Sequence, residues 1–132
     1  MNKIKSLTLT LAIVAGGLLL GRPLFIRAAV VQDTRVIQLD QTPGEFGKTE
    51  LKLKAGKSYI FEVTNDGVDH EVGFVIAPTG KTEAENHIQN AYLANTVKDG
   101  DSARSKEVVL EKGEYVYFCP LNPTPQYKIV VK

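Results

Sequence analysis

The sequence predicts an all-β protein: a Greek-key β-sandwich of about seven strands with one short helix insert. Three observations predict it. Short segments alternate apolar and polar residues with a period of two. Turn residues interrupt them at short intervals, among them Pro43, Gly44 and Gly47, then Gly56, Asn65-Asp66-Gly67, Pro78 and Gly80, and Gly113. The period changes to a helical one in a single stretch, residues 82–95.

Residues 34–39 alternate and form the first strand. Residues 41–48 read as a loop, because they hold Pro43, Gly44 and Gly47. A short strand at 50–53 ends at the turn Ala55-Gly56-Lys57. Residues 58–64 place Tyr59, Phe61 and Val63 on one side and Ile60, Glu62 and Thr64 on the other. After the turn at Asn65-Asp66-Gly67, His70, Val72, Phe74 and Ile76 share one face of a further strand. In 82–95, Thr82 and Glu85 have the spacing of a capping box, and Ala84, Ile88, Ala91 and Tyr92 recur at helical spacing. Strands resume at 105–110 and 115–119, and the last runs over 127–131. There are no internal repeats, and one domain, 30–132, follows the N-terminal segment.

That segment, 1–29, carries Lys3, Lys5, Arg22 and Arg27 and no acid, around the apolar run 7–20. It reads as an export signal. The residue two before Ala28 or Ala29 is Ile26 or Arg27, neither of them small. Residues 7–26 are long enough to span a bilayer, so the alternative is an uncleaved membrane anchor. Either way the domain lies outside the cytoplasm: periplasmic, extracellular, or anchored and facing outward. The full chain has 16 basic and 15 acidic residues; without 1–29 the balance is 12 to 15, a net charge of −3. No basic patch or run is present, so a nucleic-acid partner has no support and none is expected.

One cysteine, Cys119, cannot form an internal disulfide. In an exported chain such a thiol calls for an explanation. It ends a strand and precedes the loop Pro-Leu-Asn-Pro-Thr-Pro, a site geometry more than a core geometry. His70 stands 49 residues upstream, in NDGVDHEVGF. Asn65 before His70, the Val-Gly-Phe after Glu71, and Gly113-Glu114-Tyr115 leading to Tyr117-Phe118-Cys119 together resemble the cupredoxin (blue copper protein) family. The resemblance covers residues 34–132.

The resemblance implies a copper site with His70 and Cys119 as ligands, and with it electron transfer or copper handling, a redox or copper-handling protein partner, and no catalysis. It also shows an altered loop. The family's second His falls at Asn122, and its Met falls at Pro125, Gln126 or Tyr127. Gln126 is the candidate carbonyl axial ligand, since the only Met is Met1. A blue copper site needs a thiolate and two imidazoles with a weak axial ligand; this chain offers one thiolate and one imidazole by family position. His87, on the expected helix, reads as a structural His, and Asp69 and Glu71 as solvated. The alternative function is a degenerate cupredoxin that has lost copper and binds a partner protein. A thiolate–imidazole nucleophile pair finds no support, because no Cys-hydrolase signature surrounds Cys119 and Pro120 supplies no N–H for an oxyanion hole.

Overall fold

The computed structural model of the chain describes residues 33–132; the export signal or anchor read at 1–29 lies outside the described residues. Among the described residues nine strands make two sheets. The first sheet runs β2 (Glu45–Phe46), β1 (Thr34–Thr42), β4 (Ser58–Asn65) and β6 (Ser102–Arg104), with β7 (Val108–Val109) also on β4. The second runs β3 (Glu50–Leu53), β9 (Tyr127–Val131), β8 (Gly113–Phe118) and β5 (Val75–Pro78). From β2 to β6 the chain changes sheet at every connection. The closing pairs β1–β4 and β3–β9 are parallel; the others are antiparallel.

Alternation places the core. In β4, Tyr59, Phe61 and Val63 are buried, as the period of two predicts, and so are Leu51 and Leu53 in β3. Aromatic rings from both sheets fill the centre. Phe46 meets Tyr117 at 5.2 Å, Phe61 meets Phe74 at 5.3 Å and Tyr117 meets Tyr127 at 5.4 Å between centroids. Tyr117 is fully buried and donates its hydroxyl to the Lys48 carbonyl at 2.6 Å. Burial, with Tyr127 beside it, pushes the Tyr117 phenol above its ordinary range. On the outer face of the first sheet, Glu62 accepts from Arg104 at 2.8 Å and from Gln38 at 2.9 Å, which holds its carboxyl below its ordinary value.

Four local expectations are revised. The helix insert of 82–95 is present as two 3-10 turns, Ala84–Asn86 and Gln89–Ala91, without side-chain caps. The Ile88 N–H, which an α-helix would give to Ala84, goes to the Ile76 carbonyl of β5 at 2.9 Å. Docking on the sheet replaces a helix too short to stabilise its own nucleus. Residues 41–48 form a hairpin rather than a loop: β1 runs on to Thr42, Pro43-Gly44 make the turn, and Gln41 pairs with Phe46. Gly44 sits at φ 80°, a left-handed conformation that glycine adopts without strain. The strand expected from His70 begins at Val75, because Val72 exchanges both backbone bonds with Val97 instead, at 3.0 and 2.9 Å. The strand expected at 105–110 is cut down to β7, Val108–Val109, and a separate strand, β6, precedes it at Ser102–Arg104. Between β6 and β7 the buried Ser105 hydroxyl, 2.9 Å away, receives the Phe61 N–H that a ladder carbonyl would otherwise take.

Candidate metal centre

Cys119 follows directly on Phe118, the last residue of β8, and is 3% exposed. Pro120 has no N–H, so the next donors along the chain are Leu121 and Asn122. Both point at Cys119 Sγ, at 3.4 and 3.1 Å. A third donor, the Gly73 N–H, reaches Sγ from the segment after His70 at 3.3 Å. The Cys119 N–H itself goes to Thr124 Oγ1 at 3.2 Å, which holds the loop closed. A cysteine packed as a small hydrophobe needs no such set of donors. Peptide N–H groups converging on one sulfur are the arrangement expected around a sulfur that serves as a metal ligand.

Asn65 shapes the turn that delivers His70. Its fully buried amide donates to the carbonyls of His70 and Val97, both at 3.0 Å, and its Oδ1 accepts the Val68 N–H at 2.9 Å. This is an Asx-type turn. The His70 ring is exposed. Its Nδ1 donates to the Glu71 carbonyl at 3.0 Å, which leaves Nε2 as the nitrogen with a free lone pair. A shallow cleft of Asp69, Glu71, Lys98 and Asp99 surrounds it. The two segments thus meet through Gly73, while no hydrogen bond among the described residues joins the His70 ring to the sulfur.

Asn122 is 4% exposed, and its carboxamide is turned towards the β1–β2 hairpin. Nδ2 donates to Gln41 Oε1 at 3.1 Å and to the Thr42 carbonyl at 3.0 Å; Oδ1 accepts the Gly44 N–H at 2.9 Å. Gln126 is exposed, and its side chain makes no hydrogen bond among the described residues. His87 is the structural residue the sequence suggests. Nε2 donates to the Thr82 carbonyl at 2.9 Å, Nδ1 accepts from the Tyr92 hydroxyl at 2.7 Å, and the ring stands edge-on to Phe118.

The sequence reading missed Gln41, which is fully buried and donates from Nε2 to the Gly73 carbonyl at 2.7 Å. A signal was available. Ile37, Leu39 and Gln41 occupy alternate positions of β1, so an amide stands on the inward face of an apolar row. An inward amide requires partners.

The donors meet part of what copper needs. One sulfur is held in place and one exposed imidazole nitrogen is free, but the Asn122 carboxamide, expected to stand in for a second imidazole, is turned to the β1–β2 hairpin. Among the described residues no group of three or more His, Cys, Asp or Glu side chains gathers to hold a metal ion. The trigonal thiolate and two-imidazole set of a blue copper centre is therefore not met.

Known structures carry the same architecture. The chain is similar to auracyanin A, a "blue" copper protein from the green thermophilic photosynthetic bacterium Chloroflexus aurantiacus. The two share 21% identity with a TM-score of 0.58 over 76% of this chain and 100% of that one. It is also similar to auracyanin B, at 16% identity and a TM-score of 0.61 over 78% and 94% of the two chains. A third match is the dithionite-reduced auracyanin of Roseiflexus castenholzii, at 14% and 0.59 over 77% and 99%. No protein-family model and no curated protein matches the sequence. At these identities the likeness is one of fold, and the fold is cupredoxin-like. No helix among the described residues is long and apolar enough to cross a membrane.

Proposed function

We propose that this chain is an exported, cupredoxin-like metal-binding protein that holds copper at Cys119, with His70 as the accompanying imidazole. The observation that carries this reading is the convergence of three backbone N–H groups on the one thiol of the chain, one of them from the His70 segment. When bound there, copper would supply a soft Lewis acid that changes oxidation state. Cys119 would give the thiolate, His70 Nε2 the nitrogen, and Gln126 is the free carbonyl donor of the same loop. A thiolate and one imidazole suit Cu(I), whereas Cu(II) prefers several N or O donors in a tetragonal set. The role is then copper handling, with a redox or copper-handling protein as partner, and not catalysis or unaided electron shuttling. Competition against a coloured Cu(I) chelator tests this. The wild-type chain is expected to withdraw one equivalent of Cu(I), Cys119→Ser none, and His70→Ala to bind more weakly. A wild-type chain that leaves the chelator fully loaded rejects the reading.

One observation favours a second reading, in which the fold is kept, copper is lost and the surface binds a partner. Both Asn122 amide protons are committed to the β1–β2 hairpin, and its oxygen already accepts the Gly44 N–H, so the residue is turned away from a metal role. Beside the loop, Leu121 is 48% exposed on a largely apolar groove with Phe74, Tyr92, Leu93 and Pro120. If Cys119→Ser and His70→Ala are both silent towards Cu(I) and Cu(II), this second reading stands.

A further inference from the structure

We infer that Asn122 and Gln41 are positioning residues: a buried pair of amides that fastens the Cys119 loop to the β1–β2 hairpin and to the Gly73 segment, and so aims three N–H groups at the sulfur. The inference gives Asn122 a role other than that of a substitute for the missing imidazole. It deepens the copper reading and rests on it only for its purpose, since the clamp itself is a property of the polypeptide.

The amides form one continuous path. Asn122 sends its backbone N–H to Cys119 Sγ at 3.1 Å, and its side chain grips the hairpin at three points: the Thr42 carbonyl, the Gly44 N–H and Gln41 Oε1. Gln41 then donates to the Gly73 carbonyl at 2.7 Å, and the Gly73 N–H returns to Sγ at 3.3 Å. Two segments far apart in sequence thus close on one sulfur, and the hairpin ties them together. Gln41 is 0% exposed and Asn122 4% exposed, so water offers no substitute partner. The chemistry of the pair is directional. Asn122 gives both amide protons to carbonyl oxygens and accepts with its own oxygen; a carboxylate of the same size keeps the acceptor but sets a second oxygen against the two carbonyls. An imidazole at 122 would likewise be unable to make all three bonds.

The test uses metal-free full-length protein and reads the sulfur and its donors directly. In Asn122→Asp and in Gln41→Leu, Cys119 is expected to react with iodoacetamide roughly tenfold or more faster than in wild type, because each change strands a buried partner and favours opening of the loop. Val63→Ala in β4 serves as the stability control and should leave the alkylation rate within about twofold, since it removes buried apolar volume but none of the clamp's hydrogen bonds. Wild-type hydrogen exchange provides a measurement that does not depend on the variants folding. The amides of Gly44, Gly73, Leu121 and Asn122 should open together, with one shared dependence on denaturant. Alkylation at the wild-type rate in both variants overturns the inference. So does equal acceleration in the Val63→Ala control, or separate opening of the four amides. Because no copper enters these measurements, failure of the clamp leaves the copper reading standing. Failure to take up Cu(I) leaves the clamp standing.

Discussion

Tyr117 shows how one residue reports on the interior. Its hydroxyl is buried and bonded to the Lys48 carbonyl, and its phenol is held protonated beyond its ordinary value of 10.0. In the unfolded chain the phenol ionises near that ordinary value. Above about pH 10 the unfolded state therefore loses a proton that the folded state keeps. The contribution of Tyr117 is complete below that pH and falls as pH rises through it, by about 1.4 kcal/mol per pH unit. Tyr117→Phe should remove this slope between pH 10 and 11.5 and cost about 0.5–1.5 kcal/mol at neutral pH for the lost hydrogen bond. Urea unfolding across that range measures both. A wild-type slope that survives in Tyr117→Phe would assign it to another group.

Two elements carry distinct expectations. The β1–β2 hairpin turns at Gly44, where a Cβ would meet nothing within 4 Å but φ is 80°. Gly44→Ala should cost roughly 1–2 kcal/mol from backbone strain alone, without a steric clash. Equal stability would show that the turn relaxes. At the β6–β7 break, Ser105→Ala strands the buried Phe61 N–H and should cost about 1–3 kcal/mol in chemical denaturation. A change below about 0.5 kcal/mol would mean that the N–H finds another acceptor. Both elements were only partly legible in the sequence. Pro43-Gly44 announced a turn, but the two-residue strand after it carries too little pattern to be read. A serine inside an alternating run gives no sign that its hydroxyl will replace a ladder carbonyl. The helix expected at 82–95 failed for a related reason: Ile88 and Ala91 do face inward, but the backbone N–H of Ile88 serves β5.

At the scale of the molecule, period-two alternation located the sandwich because each strand buries one face, and the buried rows of β3 and β4 follow the pattern. The thiol was legible too, since a lone cysteine before a proline-rich loop is unusual in a strand interior. The surroundings of the sulfur were not legible. They depend on Gly73, Gln41 and the hairpin, which only the fold brings to Cys119, and the sequence spacing of Asn122 says nothing about which way its amide turns. A copper role for this fold therefore depends on the sulfur. X-ray absorption at the copper edge of the Cu(I)-loaded full-length chain tests it most directly. The expected result is a low-coordinate ion with one sulfur scatterer from Cys119, accompanied by nitrogen that weakens in His70→Ala. Copper coordinated by nitrogen and oxygen alone, or a protein that retains no copper after desalting, would contradict it.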